Sequence, residues 1–280
     1  MAQPTYTRIA SLPAHREATK SFLAIMADVA RREGWREAEA FTKWMEFAAR
    51  SLAGGAFRAA LAVERWEENE AAYLGLIKTC RSPGETMADM ARALAVVVEA
   101  LEAEEADFLS PIFSELAAYD EAGQFMTPWT LAEASAQMIL ADAPGILEQA
   151  KAEGRRWISL SEPACGMGGM VLAATKVLKA QGIDPAREAH WHCIDVDWKA
   201  VCGSYIQLTL CGVSAQVIHG DTLSLETRSS WPTIMAVLFP KWRRATDPKP
   251  TPAGPVSPSP GPTSPSEAQA GAPHQFDFGF

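Results

Sequence analysis

The residues best suited to chemistry in this 280-residue sequence are Ser161-Glu162-Pro163-Ala164-Cys165-Gly166-Met167-Gly168-Gly169. Glycines at 166, 168 and 169 let the backbone approach a ligand closely and turn into a helix, whose amino end favours a negative group. About one helix length further on, a second apolar segment ends in Asp195-Val196-Asp197, where an acidic side chain can accept hydrogen bonds from ribose hydroxyls. No lysine follows the glycines as a Walker-type loop requires, so the spacing argues against a phosphate-rich nucleotide.

Other reactive residue types lack partners. Cys165 has no base placed beside it by the sequence and reads as a small residue packed behind the loop. The five cysteines, at 80, 165, 193, 202 and 211, form no Cys-x-x-Cys pair and fit reduced thiols. His190, His192, Cys193, Cys202, Cys211 and His219 match no zinc module, the first three sharing one strand, so no metal site is expected.

Around these residues the expected elements alternate. From about 156, short apolar segments separated by helical ones signal strands joined by crossover helices. Trp157–Ser161, Trp191–Val196 and Gln216–His219 read as strands, with helices over Met170–Ala180 and Asp197–Leu210 stopped by Gly182 and Gly212. Thr233–Phe239, apolar throughout and bounded by prolines, reads as a fourth strand, completing a parallel, doubly wound sheet. The first 122 residues read as helices. Phe22, Ile25, Met26 and Val29 form one stripe, and Phe41, Trp44, Met45, Ala48 and Leu52 another. A third helix fits Ala59–Thr79. A fourth begins at Ser82-Pro83-Gly84-Glu85, which has the form of a capping box, and runs through Met87, Met90, Leu94, Val97 and Leu101.

Composition bounds the rest. With 48% hydrophobic and 21% charged residues the chain is neither fibrous nor wholly disordered. Residues 1–122 carry 13 Lys/Arg against 20 Asp/Glu, residues 123–245 carry 11 against 11, and residues 246–280 carry 1 against 3, giving the net charge of −9. No basic face of the kind that drives nucleic-acid binding is visible, so Arg155-Arg156, Arg243-Arg244 or a partner would have to position any DNA. No apolar run is long enough to span a membrane and the start lacks a leader pattern, which reads as a cytoplasmic protein. Beyond Arg244, nine prolines between 248 and 273 predict a disordered tail, ending in Gln275-Phe276-Asp277-Phe278-Gly279-Phe280.

Glu162-Pro163-Ala164-Cys165-Gly166-Met167-Gly168-Gly169 resembles the Asp-Pro-Ala-Cys-Gly-x-Gly-Gly motif of N6-adenine DNA methyltransferases, especially modification subunits of type I restriction systems. Gly123-Gln124-Phe125-Met126-Thr127-Pro128 is similar to the family's Gly-x-Phe-x-Thr-Pro loop, and Gly220-Asp221-Thr222-Leu223 to its adenine-contacting segment. The resemblance implies a truncated, Rossmann-like S-adenosylmethionine-dependent methyltransferase sheet (α/β class) over 123–245. An all-helical domain (1–122) would precede it and the proline-rich tail (246–280) would follow. It implies S-adenosylmethionine as cofactor, with Thr127 and Pro128 at the methionine end and Glu162, Pro163, Ala164, Gly166 and Gly168 around it. Asp195 would hold the ribose and Asp221 the adenine amino group. Read from the residues alone, Thr127 could instead begin a turn before a Thr130-x-x-Glu133 capping box, and Asp195 and Asp197 could cap the next helix.

The family's Asn/Asp/Ser-Pro-Pro-Tyr/Phe motif, which accepts hydrogen bonds from the target amino group and stacks on the flipped base, has no counterpart: the chain contains no Pro-Pro pair. Ser230-Trp231-Pro232 supplies the nearest substitute. Two expectations follow. One is adenine-N6 methylation of DNA with help from a partner such as a specificity or second modification subunit. The other is an inactive interaction protein, its Gln275–Phe280 peptide resembling those that dock on the bacterial replication sliding clamp.

Overall fold

A computed structural model of the chain describes residues 12–117 and 126–240. A single 3-10 turn (Pro13–His15) leads into α1 (Arg16–Glu33), α2 (Glu37–Ala59), α3 (Val63–Lys78), α4 (Pro83–Ala103) and α5 (Leu109–Ala117). The apolar stripes are the buried faces: Phe22, Met26 and Val29 of α1 and Phe41, Trp44 and Met45 of α2 are sealed from solvent. Phe22 meets Trp44 edge-on, ring centroids 4.6 Å apart, and Phe108 at 6.0 Å, the geometry the ring quadrupole favours.

The helix at Pro83 starts where expected, but its capping box does not form. Ser82 makes no side-chain cap bond. Instead Glu33, at the end of α1, accepts from Arg81 N (2.5 Å), Ser82 N (3.1 Å) and the Thr86 hydroxyl. Burial pushes the Glu33 carboxyl up, and these donors outweigh it, holding its pKa below the ordinary value. An ionised carboxylate bonded to two amides is a stronger cap than one neutral hydroxyl.

The second stretch runs α6 (Trp129–Ile139), α7 (Ala143–Ala152), β1 (Ile158–Glu162), α8 (Gly169–Ala180), β2 (Ala189–Asp195), α9 (Trp198–Leu210), β3 (Ala215–Asp221), β4 (Glu226–Pro232) and α10 (Ile234–Leu238). α6 opens after Pro128 as N-cap, so Thr130 lies inside it and the Thr130-x-x-Glu133 box is absent. The sheet order is β1-β2-β3-β4, with β1, β2 and β3 parallel and β4 antiparallel to β3. Two expectations are therefore corrected. The sheet is mixed and wound in one direction, with no reversal of strand order among the described residues. The fourth strand is Glu226–Pro232, whereas Thr233–Phe239 holds a short helix whose start is capped by the Thr233 hydroxyl accepting from Ala236 N.

Helices and sheet share one buried cluster that reaches from Phe22 through Phe57 and Leu172 to Trp231. The expected boundary at 122/123 falls among residues outside the described set, as do the tail and its terminal aromatic peptide.

Candidate functional site

Three parallel strands put their carboxyl ends on one rim, and each ends on an acid: Glu162 closes β1, Asp195 closes β2 and Asp221 closes β3. In an open parallel sheet this rim is where ligands bind. The turn between β1 and α8 winds through Gly166 (φ 52°) and Gly168 (φ 89°), left-handed conformations that strain any residue with a Cβ.

Side chains from distant segments hold that turn. Asp195 accepts from Gly166 N (2.8 Å) through Oδ2 and from Asp197 N (2.9 Å) through Oδ1, which ties the turn to the end of β2 and leaves a lone pair on each oxygen. A Cβ on Gly166 would lie 3.1 Å from the Met126 sulfur, so the Met126 side chain lies against the turn. Thr222 donates its hydroxyl to Pro163 O at 2.6 Å, drawing the segment after β3 against Glu162-Pro163-Ala164. Thr127, Pro128, Pro163 and Ala164 are exposed.

The electrostatics of the rim are acidic. Burial raises the Glu162 carboxyl above its ordinary pKa and the nearby Asp195 charge adds to this, against an opposing hydrogen bond from Ala164 N. Asp221 shifts the other way, its carboxylate held ionised by N–H groups of Leu223 (2.8 Å) and Ser224 (3.4 Å). No lysine or arginine occurs within 161–169, 195–197 or 220–224. Arg228, which reaches Val196 O at 3.4 Å, is paired with Glu226. Beside the acids, Val196 and Leu223 are 54% and 97% exposed, apolar surface that a flat ring could cover. Asp197 caps α9 through Lys199 N (2.9 Å), the bland alternative from the sequence.

Cys165 is buried, its thiol pushed up to about 12 by burial, and its sulfur lies 3.7 Å from the Ser204 hydroxyl. It is a packing residue with no thiolate to offer near neutral pH. No group of three or more His, Cys, Asp or Glu among the described residues is arranged to hold a metal ion. A cavity of about 890 Å³ lined by Trp35, Arg36, Leu116 and Lys199, among others, includes none of the motif residues.

Ser230, Trp231 and Pro232 are not brought to the rim. Because β4 runs antiparallel, Glu226 pairs with Asp221 at the rim while Ser230, Trp231 and Pro232 pair with Ile218, Val217 and Gln216. At roughly 3.3 Å per residue, Trp231 is about 13 Å down the strand from the acid that closes β3. Its ring is enclosed by Phe57 (5.6 Å), Trp198 (5.2 Å) and Tyr205 (5.7 Å). The Ser230 hydroxyl accepts from Gln216, and Pro232 O accepts from the Tyr205 hydroxyl at 3.1 Å.

No protein-family model and no curated protein matches the chain. Among solved structures it is similar to a protein assigned as a class I S-adenosylmethionine-dependent methyltransferase from Listeria monocytogenes, with 15% identity and TM-score 0.35 over 74% of this chain and 55% of that one. It is also similar to the methyltransferase subunit of a type I restriction-modification system from Streptococcus thermophilus, with 13% identity and TM-score 0.31 over 70% and 55% of the two chains. The chain thus spans about half the length of these two structures. Likeness at that level assigns neither activity nor residues.

Sequence reading missed four residues of the site: Met126 as a contact of the turn, and Asp107, Gly203 and Gln207 behind it. The sequence carried no local signal for them: that Gln207 lies in the stretch of α9 buried from Ala200 to Leu208, where a polar group must find partners, is visible only in the structure.

Proposed function

We propose that the rim of Glu162, Asp195 and Asp221 binds S-adenosylmethionine, and that the chain serves methylation of adenine N6 in DNA with a partner supplying the target-side groups. One observation carries the cofactor reading. Segments 126–128, 162–168 and 220–223 meet at one glycine turn, through Met126 against Gly166, Asp195 on Gly166 N and Thr222 on Pro163.

The groups present fit such a ligand. An acidic rim suits a cationic sulfonium and ammonium, the exposed Val196 and Leu223 suit a purine, and a bare glycine backbone admits close approach. When bound, S-adenosylmethionine supplies the methyl group. Asp195 keeps its two amide bonds and offers its remaining lone pairs to ribose hydroxyls. Asp221 stays ionised as acceptor for the adenine amino group, Glu162 faces the cationic end, and Thr127 and Pro128 line it.

Help from a specificity or second modification subunit is proposed because Ser230, Trp231 and Pro232 pair with the first half of β3 and are engaged in packing. The same observation favours a second reading, an interaction protein that retains the cofactor pocket without transfer and docks on the sliding clamp through Gln275–Phe280. Calorimetric titration with S-adenosylmethionine, beside Asp195→Ala, tests the first step. Saturable binding weakened by the substitution supports the pocket, and no binding at millimolar cofactor overturns it. Methyl transfer to DNA with and without candidate subunits separates the two readings, and clamp affinity unchanged on deleting 275–280 removes the docking element.

A further inference from the structure

The rear of the glycine turn is built differently from its rim. Helix α9 presents Gly203, Ser204, Gln207 and Leu208 on one face, the spacing of adjacent turns. A Cβ at Gly203 would fall on the Met167 sulfur, and one at Gly168 would lie 3.4 Å from Ser204 Cα, so turn and helix meet almost backbone to backbone. Gln207 is fully buried, with every hydrogen-bonding position of its carboxamide engaged. Its Nε2 donates to Met167 O (2.7 Å) and Asp107 Oδ1 (3.1 Å), and its Oε1 accepts from Phe108 N (2.8 Å) and Leu109 N (3.2 Å). Asp107, also buried, accepts from Ser110 N at 3.1 Å and turns Oδ2 toward Gly169. One side-chain amide therefore joins the start of α5 to the turn between β1 and α8. Gly166 and Gly168 have no side chain to hold them, and Met167 between them is anchored by its side chain over Gly203 and its carbonyl on Gln207.

We infer that Gln207 is the positioning residue of this turn, coupling its shape to the amino-terminal helices through Asp107, Phe108 and Leu109. The consequence for the cofactor rests on the proposed function: a turn held in advance keeps its bare glycine backbone in the shape that meets the ligand without an ordering cost, so affinity is set partly from behind the site.

The test uses the full chain, with calorimetric affinity for S-adenosylmethionine and amide exchange of residues 165–169 in the absence of cofactor. The variants are Gln207→Met, close in volume but without polar atoms, and Leu23→Ala, a core truncation in α1 chosen to lower the melting temperature comparably. Gln207→Met is expected to weaken binding by about tenfold or more and to accelerate exchange in 165–169. Leu23→Ala should leave affinity unchanged and should speed exchange in 165–169 no more than in the other amides of the sheet. Equal effects of the two variants, or unchanged exchange in Gln207→Met, would overturn the inference. If the parent binds no cofactor, the cofactor reading fails while the exchange comparison still decides this one. Should Gln207→Met not fold, exchange and affinity in Asp107→Ala and Asp107→Asn take its place. The asparagine keeps Oδ1 as an acceptor and should stay within about threefold of the parent, with the alanine clearly worse. Equal behaviour of that pair would count against the coupling.

Discussion

The two faces of the glycine turn obey opposite rules. At the rim, Asp195, Asp221 and Thr222 are side chains with lone pairs to spare, flanked by exposed Val196 and Leu223. Behind the turn, Gln207 and Asp107 are sealed and Gln207 is saturated with protein partners. A site that exchanges ligands needs unsatisfied capacity facing solvent, whereas a support loses stability for every unsatisfied group it holds. The same few residues of chain meet both demands by turning one face to each.

The sharpest way to break this comparison is to remove a hydrogen-bonding group from each side. Gln207→Met strands two buried N–H groups and one carbonyl and should cost about 3 kcal/mol or more in urea unfolding. Asp195→Ala, whose amides stand at the rim within reach of water, should cost only about 1 kcal/mol. Comparable losses would mean that the rim is as structural as the rear. Next in size is Gly203→Ala, which drives a methyl into the Met167 sulfur and should lower stability by about 1–3 kcal/mol, read as a fall in melting temperature.

The pH dependence sharpens the contrast because the two aspartates shift oppositely. Burial raises the Asp107 carboxyl, against hydrogen bonds from Ser110 and Gln207 and the opposing charge interaction with His15, the titratable neighbour facing it from the turn before α1. With the folded value above the unfolded one, the native state binds more protons. Asp107 therefore lowers stability progressively as pH rises from about 4, the unfolded aspartate value, to its folded value. Asp107→Asn should remove that decline. For Asp221 the folded value is depressed by the Leu223 and Ser224 amides. Its contribution is present above about pH 4 and lost as pH falls through the folded value, so Asp221→Asn should flatten the acid limb. Denaturant midpoints across pH read both signs. The smallest expected effect is at Cys165: its buried thiol, raised to about 12, should resist iodoacetamide at pH 8 in the folded chain and react once urea exposes it.

Much of the scaffold was legible from local pattern. Phe22, Met26 and Val29 announced α1 because a helix repeats every 3.6 residues, and Gly182 and Gly212 marked where α8 and α9 end. Thr233–Phe239 was misread because a short apolar run has no period that separates strand from helix. The true fourth strand escaped notice because as far as Ser230 none of its residues is buried. Ser82 was a sound local cap displaced by Glu33, a competitor that sequence spacing cannot reveal.

By itself the sequence determined the glycine turn and placed the ends of β1, β2 and β3 to within two residues, since these depend on backbone freedom and on strand length, both local properties. Tertiary structure alone decided that β4 returns antiparallel, carrying Ser230, Trp231 and Pro232 down the sheet from the rim, and that Gln207 grips the turn from behind. Strand direction and the partners of a buried amide are settled by hydrogen bonds between segments distant in the chain, and the best set of those exists only once the whole core has closed.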